Sequence, residues 1–223
     1  MNILKNKKGR HLAKQEESGW SYWFSLILFL IIIYAIFFLV FRFILSNNEV
    51  IGPSMQPNFE NGDRIIETRH SDIKRGELIV LKAPDEPGSF YIKRVIGLPG
   101  DTIVSKNNKI YINGKVYREG FLKAGRKKKE PNTNFFAGKP YSYTYDFTLS
   151  SLAKNAPEWQ ERYSSSYLKK IEQTNRVPVG TYFVLGDHRT VSKDSRIIGF
   201  INQKSVVGEV KLRYWPLNKW TVY

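Results

Sequence analysis

The chain has 223 residues, of which 42% are hydrophobic, a composition typical of a folded domain with a buried core rather than a disordered chain. Its formal net charge is +15, but the basic residues form separate clusters and no nucleic-acid-binding motif is present, so we expect no nucleic-acid partner. The absence of cysteine excludes disulfides, thiol catalysis and cysteine-ligated metal sites. One basic cluster precedes an apolar segment, a position where lysine and arginine commonly meet anionic lipid.

The apolar segment covers residues 20–41 and contains no charged residue and no proline. At about 1.5 Å per residue, a helix of this length spans about 33 Å, enough to cross the hydrocarbon core of a bilayer. Aromatic residues lie at its start, as is typical of a membrane interface. Five lysines and arginines precede the segment and only Arg42 follows closely, so the positive-inside rule predicts a cytoplasmic N-terminus.

A cleaved signal peptide is the alternative interpretation of this segment. Its apolar region would be about 7 to 15 residues long and would be followed by a small-x-small cleavage site. Residues 44–48 offer no such site. We therefore predict a retained single transmembrane helix that places everything after about residue 46 outside.

Beyond the apolar segment, short runs rich in β-branched and aromatic residues alternate with turn residues, which is typical of a β fold. The runs predicted as strands are residues 65–66, 78–81, 91–96, 102–104, 182–185 and 206–212. The pair Asn113-Gly114 predicts a hairpin with a type I′ turn between residues 109–112 and 115–117. Residues 118–175 are basic, polar and rich in tyrosine and serine, with one helix predicted near residues 158–171.

Histidine is the commonest base for a catalytic serine, and the chain has three. His11 precedes the apolar segment, and His70 lies in a polar turn and is interpreted as a surface residue. His188 could pair with a serine and with Asp194. Because such a triad is defined by geometry rather than by chain order, this alternative stays open.

Lysine is the other base that can activate a serine. In residues 52–57, a glycine and two prolines restrict the backbone around Ser54, although an ordinary linker has the same composition. Strand alternation places Lys93 on one face with Tyr91 and Val95, where its amine could be desolvated. The pKa of Lys93, about 10.4 when free, must fall by about two or three units for it to act as a base near neutrality. A lysine that extends to solvent is the simpler alternative for an isolated strand.

A third segment, residues 186–196, alternates acidic and basic residues with small ones. This pattern predicts a polar network that supports a site, and a salt-bridged surface loop is the alternative. Together the three segments resemble type I signal peptidases. The matching motifs are Ser54-x-x-Pro57, Lys93-Arg94-x-x-Gly97-x-Pro99-Gly100-Asp101 and Gly186-Asp187-x-Arg189-x-x-Ser192-x-Asp194-Ser195-Arg196. The resemblance covers about residues 50–101 and 177–215, but not residues 118–175.

The resemblance implies that Ser54 is the nucleophile and Lys93 the general base, with no metal or cofactor. It implies that Ser192 orients the lysine ammonium and that Asp194 and Arg196 form a supporting ion pair. The backbone N–H of Ser54 would donate to the oxyanion.

Two parts of the site depart from the family pattern. Some family members add a hydroxyl donor two residues before the nucleophile, where this chain has Gly52. Asn, Asp and Asn are common in the family at the positions of His188, Thr190 and Val191.

The resemblance also implies the partners, which are preproteins with small residues, typically Ala-x-Ala, before the cut, and the lipid bilayer. Val50 and Ile92, beside the two catalytic residues, are predicted to line the substrate pockets. Ser54 is nine residues beyond Leu45, so even an extended link reaches only about 30 Å and keeps the nucleophile near the outer membrane surface.

The predicted fold is mainly β, with an N-terminal single transmembrane helix followed by a signal-peptidase-like β core that carries an inserted smaller β or irregular subdomain. The predicted parts are a cytoplasmic basic tail (1–19), a transmembrane anchor (20–45), a catalytic β core (46–105 and 176–223) and the insertion (106–175). A catalytically dead relative acting as an assembly factor is one alternative. A self-cleaving repressor is another, but it would need a DNA-binding domain in place of the anchor.

Overall fold

A computed structural model describes residues 19–69, 71–132 and 135–223 of the chain. Residues 1–18 of the predicted basic tail, which include His11, and residue His70 lie outside the described residues. The chain divides after Arg42 into two compact units.

The described residues of the first unit belong to one long helix, α1, which spans Gly19–Phe43 and ends one residue past the unit boundary. Its stretch Trp20–Phe43 has a mean hydropathy of 3.1, and among the described residues it is the one helix long and apolar enough to cross a membrane. Most of its large apolar side chains are exposed, from Trp20 at 86% down to Ile33 at 47%. A helix that is apolar all round is stable where apolar groups surround it, which fits the predicted membrane span.

The second unit is built mainly from strands. In chain order they are β1 Leu45–Glu49, β2 Arg64–Thr68, β3 Leu78–Lys82, β4 Phe90–Gly97, β5 Ile103–Lys106, β6 Lys109–Ile112, β7 Lys115–Val116, β8 Phe147–Thr148, β9 Thr181–Leu185, β10 Ile201–Asn202, β11 Val206–Trp215 and β12 Thr221–Val222. The helices are α2 Leu149–Asn155, α3 Pro157–Arg162, α4 Ser165–Thr174 and α5 Ser195–Ile198, with short 3₁₀ turns at Gly120–Lys123, Gln203–Ser205 and Leu217–Lys219.

Two antiparallel sheets account for the strands in the described part of the chain. The larger sheet has the order β1-β2-β11-β3-β4-β9-β10, with β12 paired to β11. The smaller sheet has the order β7-β6-β5-β8. The smaller sheet and helices α2 to α4 all come between β4 and β9 in the chain, so a mainly β core with an inserted smaller β part is confirmed.

Local sequence signals correspond closely to these elements. All six predicted strand runs contain observed strand residues, and the β6–β7 turn has positive φ at both central residues, 52° at Asn113 and 77° at Gly114. A type I′ turn requires this geometry. The predicted helix near residues 158–171 is instead two helices, because the Ser164 side chain accepts a hydrogen bond from the Tyr167 N–H and starts α4 anew.

The strand β4 lies inside the larger sheet, between β3 and β9. Two residues of the neighbouring strands that pair with it, Ile79 and Val184, have 0% exposure. A side chain that leaves β4 toward the interior therefore enters a space from which water is largely excluded. Because Lys93 extends from β4, its side chain is largely removed from water.

Candidate active site

Lys93 extends from the middle of β4 and reaches Ser54. Its Nζ lies 2.8 Å from the Ser54 Oγ and donates a second hydrogen bond to the Ile92 carbonyl oxygen at 3.1 Å. Lys93 is only 3% exposed. Desolvation by burial lowers the pKa of Lys93 from 10.5 to about 8, although the carboxylates of Asp194 and Asp187 act in the opposite direction. About half of such lysines are neutral at pH 8 and can accept a proton.

The face of β4 that carries Lys93 is the one that strand alternation predicts. Lys93 Nζ lies over the ring of Tyr91, 5.1 Å from its centroid. The alternative of a lysine that extends to solvent is therefore wrong for this position.

Ser54 lies in a tight turn after β1. Its neighbour Met55 is fully buried, and the Met55 Sδ accepts a hydrogen bond from the Asp187 N–H at 3.4 Å, which anchors the turn. The Gln56 N–H donates to the Pro53 carbonyl oxygen at 3.0 Å. Within the described residues the Ser54 N–H donates no hydrogen bond, so it is available to a ligand.

Gly52 adopts φ +89°, a left-handed conformation that residues with side chains rarely adopt. A Cβ atom there would meet nothing within 4 Å, so the backbone conformation, not a lack of space, favours glycine. The Gly52 N–H donates to the Asn61 Oδ1 at 2.9 Å. At the position where some family members carry a hydroxyl donor, this chain has a glycine in a left-handed turn instead.

Asp194 and Arg196 form a buried ion pair. The Arg196 Nε and Nη2 donate to the two Asp194 carboxylate oxygens, each at 2.8 Å, and the Gly186 N–H donates to Asp194 at 3.0 Å. Burial alone would raise the pKa of Asp194, but the Arg196 charge and these hydrogen bonds hold the pKa of this carboxyl below its usual value. Asp194 is therefore a permanent anion within the electrostatic reach of Lys93.

Ser192 is also buried, with 4% exposure. Its Oγ has no hydrogen-bond partner among the residues that the structure describes. The Lys93 Nζ, which Ser192 was predicted to orient, donates instead to the Ser54 Oγ and to the Ile92 carbonyl oxygen. The orienting role of Ser192 therefore stays a prediction.

His188 has different partners from those of a catalytic triad. Its Nδ1 lies 3.1 Å from the Pro53 carbonyl oxygen, and its Nε2 is hydrogen-bonded to Glu130. Asp194, the acid that a His188-based triad would use, is paired with Arg196. In the described residues the titratable side chain hydrogen-bonded to the Ser54 hydroxyl is thus that of Lys93 and not that of His188.

Asp187 belongs to the third motif but had no predicted role. Arg94 donates to both Asp187 carboxylate oxygens, at 2.9 and 2.7 Å. The Asn58 Nδ2 donates to Asp187 at 2.7 Å and to the Phe121 carbonyl oxygen at 2.8 Å, and the Arg94 guanidinium lies 4.0 Å from the Phe121 ring centroid. This network connects β4 to the Ser54 turn and to the loop after β9. The alternating charges of residues 186–196 were the signal for it.

A cleft of about 540 Å³ opens beside Ser54 and Lys93. Both predicted pocket residues, Val50 and Ile92, line this cleft. The apolar residues Ile65 and Val80 line it as well. The other lining residues are Asn48, Glu49, Ile51, Glu86, Gly88, Ser89, Phe90 and Tyr91. An extended peptide could therefore reach Ser54 from a cleft with a largely aliphatic floor.

A serine hydroxyl next to a buried lysine of lowered pKa, at the edge of an open cleft, is the arrangement of a serine hydrolase with a lysine base. This defines the class of protein. Comparisons with known proteins then define the family.

The family model for signal peptidase, peptidase S26, matches residues 23–215. Signal peptidase IB of Staphylococcus aureus is 32% identical over 197 residues, covering 86% of this chain and 90% of that protein. Signal peptidase I of Streptococcus pneumoniae is 35% identical over 201 residues, covering 88% of this chain and 92% of that protein. A solved structure of a signal peptidase I from Enterococcus faecalis V583 is 34% identical and covers 62% of this chain and 97% of that one, with a TM-score of 0.46.

The chain therefore belongs to the signal peptidase family, peptidase S26, and is a serine endopeptidase of the type I signal peptidase class. The predicted family resemblance is confirmed.

Proposed function

We propose that this protein is a membrane-bound endopeptidase that removes N-terminal signal peptides from secreted preproteins, with Ser54 as nucleophile and Lys93 as general base. The observation that carries the proposal is the 2.8 Å distance between Lys93 Nζ and Ser54 Oγ, in surroundings that lower the pKa of Lys93 to about 8. The relatives named signal peptidase support the substrate class.

The reaction would begin with neutral Lys93 accepting the hydroxyl proton of Ser54 while the Oγ attacks the scissile carbonyl carbon. The free N–H of Ser54 would stabilise the tetrahedral oxyanion, an effect worth about 3 to 4 kcal/mol per donor in studied enzymes. The C–N bond then breaks, and the Lys93 ammonium gives its proton to the leaving amine. Water, deprotonated by Lys93, hydrolyses the acyl-enzyme, and the proton returns to the Ser54 Oγ.

The substrate would lie in the cleft beside the dyad. Val50 and Ile92 line this cleft next to Ser54 and Lys93, and their aliphatic side chains suit small apolar residues such as those of an Ala-x-Ala sequence before the cut. Ser54 is partly accessible, as attack on an external peptide requires.

The bilayer would be the second partner. The apolar helix α1 crosses the membrane once in this proposal, with the N-terminus in the cytoplasm and the catalytic unit on the outer face. Since Ser54 follows the helix end at Phe43 by only 11 residues, the chain keeps the nucleophile close to the membrane surface where a signal peptide emerges.

The test is cleavage of a preprotein with Ala-x-Ala before the cut by the purified full chain in detergent, with the mature N-terminus identified by mass spectrometry. Ser54→Ala and Lys93→Ala should each lower kcat by at least about a thousandfold. Wild-type protein that cuts no better than Ser54→Ala would favour the catalytically dead relative.

His188→Ala is the matched control for the identity of the base. It removes an imidazole that could otherwise act as the base, but retains both the Ser54 hydroxyl and the Lys93 amine. If Lys93→Ala keeps full activity while His188→Ala abolishes it, the serine–lysine assignment is wrong.

A further inference from the structure

A buried histidine–glutamate pair contacts the turn that carries Ser54. The His188 backbone N–H donates to the Ser54 carbonyl oxygen at 3.0 Å, and the His188 Nδ1 lies 3.1 Å from the Pro53 carbonyl oxygen. His188 and Glu130 are 3% and 5% exposed. The carbonyl oxygens of two consecutive residues in the Ser54 turn, Pro53 and Ser54, thus both contact His188.

The partners of the imidazole determine where its protons lie. A carbonyl oxygen can only accept, so the His188 Nδ1 must carry a hydrogen and donate to Pro53. The Nε2 faces the Glu130 carboxyl, and one proton lies between them, because a bare nitrogen lone pair would repel a carboxylate oxygen. Glu130 therefore holds the imidazole in the form that donates to the nucleophile turn.

The His188 ring also has a stacking partner, and both His188 partners, Glu130 and Tyr141, make further hydrogen bonds. The Tyr141 ring stacks on the His188 ring with centroids 3.7 Å apart and planes 23° apart. The Thr190 hydroxyl donates to the same Glu130 oxygen that faces the imidazole, and the Arg189 N–H donates to the Tyr141 carbonyl oxygen at 2.8 Å. The imidazole is therefore contacted on its face as well as at both ring nitrogens.

Glu130 and Tyr141 both belong to the segment between β7 and β8, for which the sequence indicated no role. The two residues are held at adjacent points of one short ladder, because the Glu130 N–H donates to the Lys139 carbonyl oxygen at 2.9 Å and the Tyr141 N–H to the Lys128 carbonyl oxygen at 3.0 Å. These two hydrogen bonds flank the isolated bridge between Lys129 and Pro140, so Glu130 and Tyr141 lie next to each other in the paired segment. The segment between β7 and β8 thereby contacts the Ser54 turn through His188.

We propose that Glu130 and His188 are positioning residues, through which the inserted segment holds the Ser54 turn in place for attack. This rests on the proposed role of Ser54 as the nucleophile. Neither residue is among those that line the cleft in the described part of the chain, so the pair should affect the chemical step and not substrate binding. A misplacement of the nucleophile by about 1 Å can lower the rate about a hundredfold.

The first test compares Glu130→Ala with Glu130→Gln in the full chain in detergent. Glu130→Ala should lower kcat by about tenfold to a hundredfold with KM unchanged, because the imidazole loses its partner. Glu130→Gln should keep kcat within about threefold of the wild type, because a glutamine amide can donate to the His188 Nε2 and leave Nδ1 protonated. Equal losses in the two variants, or no loss in either, would overturn the proposal.

The second test separates the two nitrogens of His188. An asparagine amide takes the place of Nδ1 and a glutamine amide that of Nε2, so His188→Asn should keep most of kcat and His188→Gln should lose about tenfold or more. Thermal unfolding of each variant is measured alongside. If both variants lose kcat equally, or if kcat follows only the loss of folded protein, packing and not the Pro53 contact accounts for the effect.

Ser54→Ala distinguishes the failure of this inference from that of the proposed function. If Ser54→Ala retains activity, the nucleophile assignment fails and the positioning role fails with it. If Ser54→Ala is inactive while Glu130→Ala keeps the full wild-type kcat, only the positioning role is refuted.

Discussion

Gly186 and Ser192 approach each other so closely that a Cβ atom on Gly186 would lie 2.1 Å from the Ser192 Oγ. The same atom would lie 2.5 Å from the Ser54 carbonyl oxygen. Both distances are far inside van der Waals contact, so only glycine fits at this point. Gly186 therefore lets the loop after β9 pack directly against the nucleophile turn, and two residues later the His188 N–H donates to Ser54.

Gly186→Ala should consequently impair both activity and stability. The added methyl group must displace the Ser54 turn or Ser192, and we expect kcat to fall by at least about tenfold and the free energy of unfolding by about 1 to 3 kcal/mol. Gly120→Ala is the matched control, since a Cβ atom there would meet nothing within 4 Å. Steady-state cleavage and thermal unfolding measure both effects. Wild-type kinetics for Gly186→Ala would contradict the close approach.

The cleavage rate should rise with pH. Only neutral Lys93 can take the Ser54 proton, and burial lowers the pKa of Lys93 to about 8, so kcat/KM should climb through pH 7 and reach half its maximum near pH 8. Lys169→Ala, which removes an exposed lysine of α4, should leave the profile unchanged. Initial rates between pH 6 and 10 provide the measurement, and a flat profile over this range would count against a lysine base.

The same lysine should lower the stability of the protein near neutral pH. The pKa of Lys93 is about 8 in the folded chain and 10.5 ordinarily, so between these values the unfolded state binds a proton that the folded state does not. The free energy of unfolding therefore rises with pH across this window. Below pH 8 the folded state bears the full cost of a buried ammonium group, about 3 kcal/mol.

Lys93→Met removes this cost. We expect the variant to be inactive but more stable than the wild type at pH 7, with a difference that shrinks as the pH approaches 10. Thermal unfolding of the full chain in detergent at several pH values measures it, with Lys169→Met as the control. If the difference in stability between Lys93→Met and the wild type does not change with pH, Lys93 is not the group responsible for the pH dependence of stability.

Ile92 should help to determine which residues are accepted before the cut. It lines the cleft beside Lys93 and is 8% exposed, so Ile92→Ala enlarges the pocket at the dyad. We expect kcat/KM for a preprotein with valine in place of alanine to rise about tenfold relative to the alanine substrate, since each methylene in an apolar pocket is worth about 1 to 3 kcal/mol. Val179→Ala, at a 92% exposed position, serves as the control. An unchanged ratio would remove Ile92 from the specificity pocket.

Several features of the fold follow from short sequence patterns. The apolar run identifies α1 because one composition persists over a whole helix, and Asn113-Gly114 identifies the β6–β7 turn because both residues tolerate positive φ. No short sequence pattern predicted strand β1. Its Leu-Ser-Asn-Asn-Glu sequence is largely polar, and its strand conformation depends on pairing with β2 along its whole length.

By itself the sequence identified the family and the pair Ser54 and Lys93, because motif residues and their spacing are properties of the chain. The motif match favoured Lys93, but the residue pattern alone left His188 open as a second candidate for the base next to Ser54. That choice depends on burial inside the larger sheet, which lowers the pKa of Lys93, and on Glu130, which engages His188 from 58 residues away. Desolvation and contacts between distant segments exist only when the chain is folded, so the tertiary structure alone decided which side chain faces the Ser54 hydroxyl.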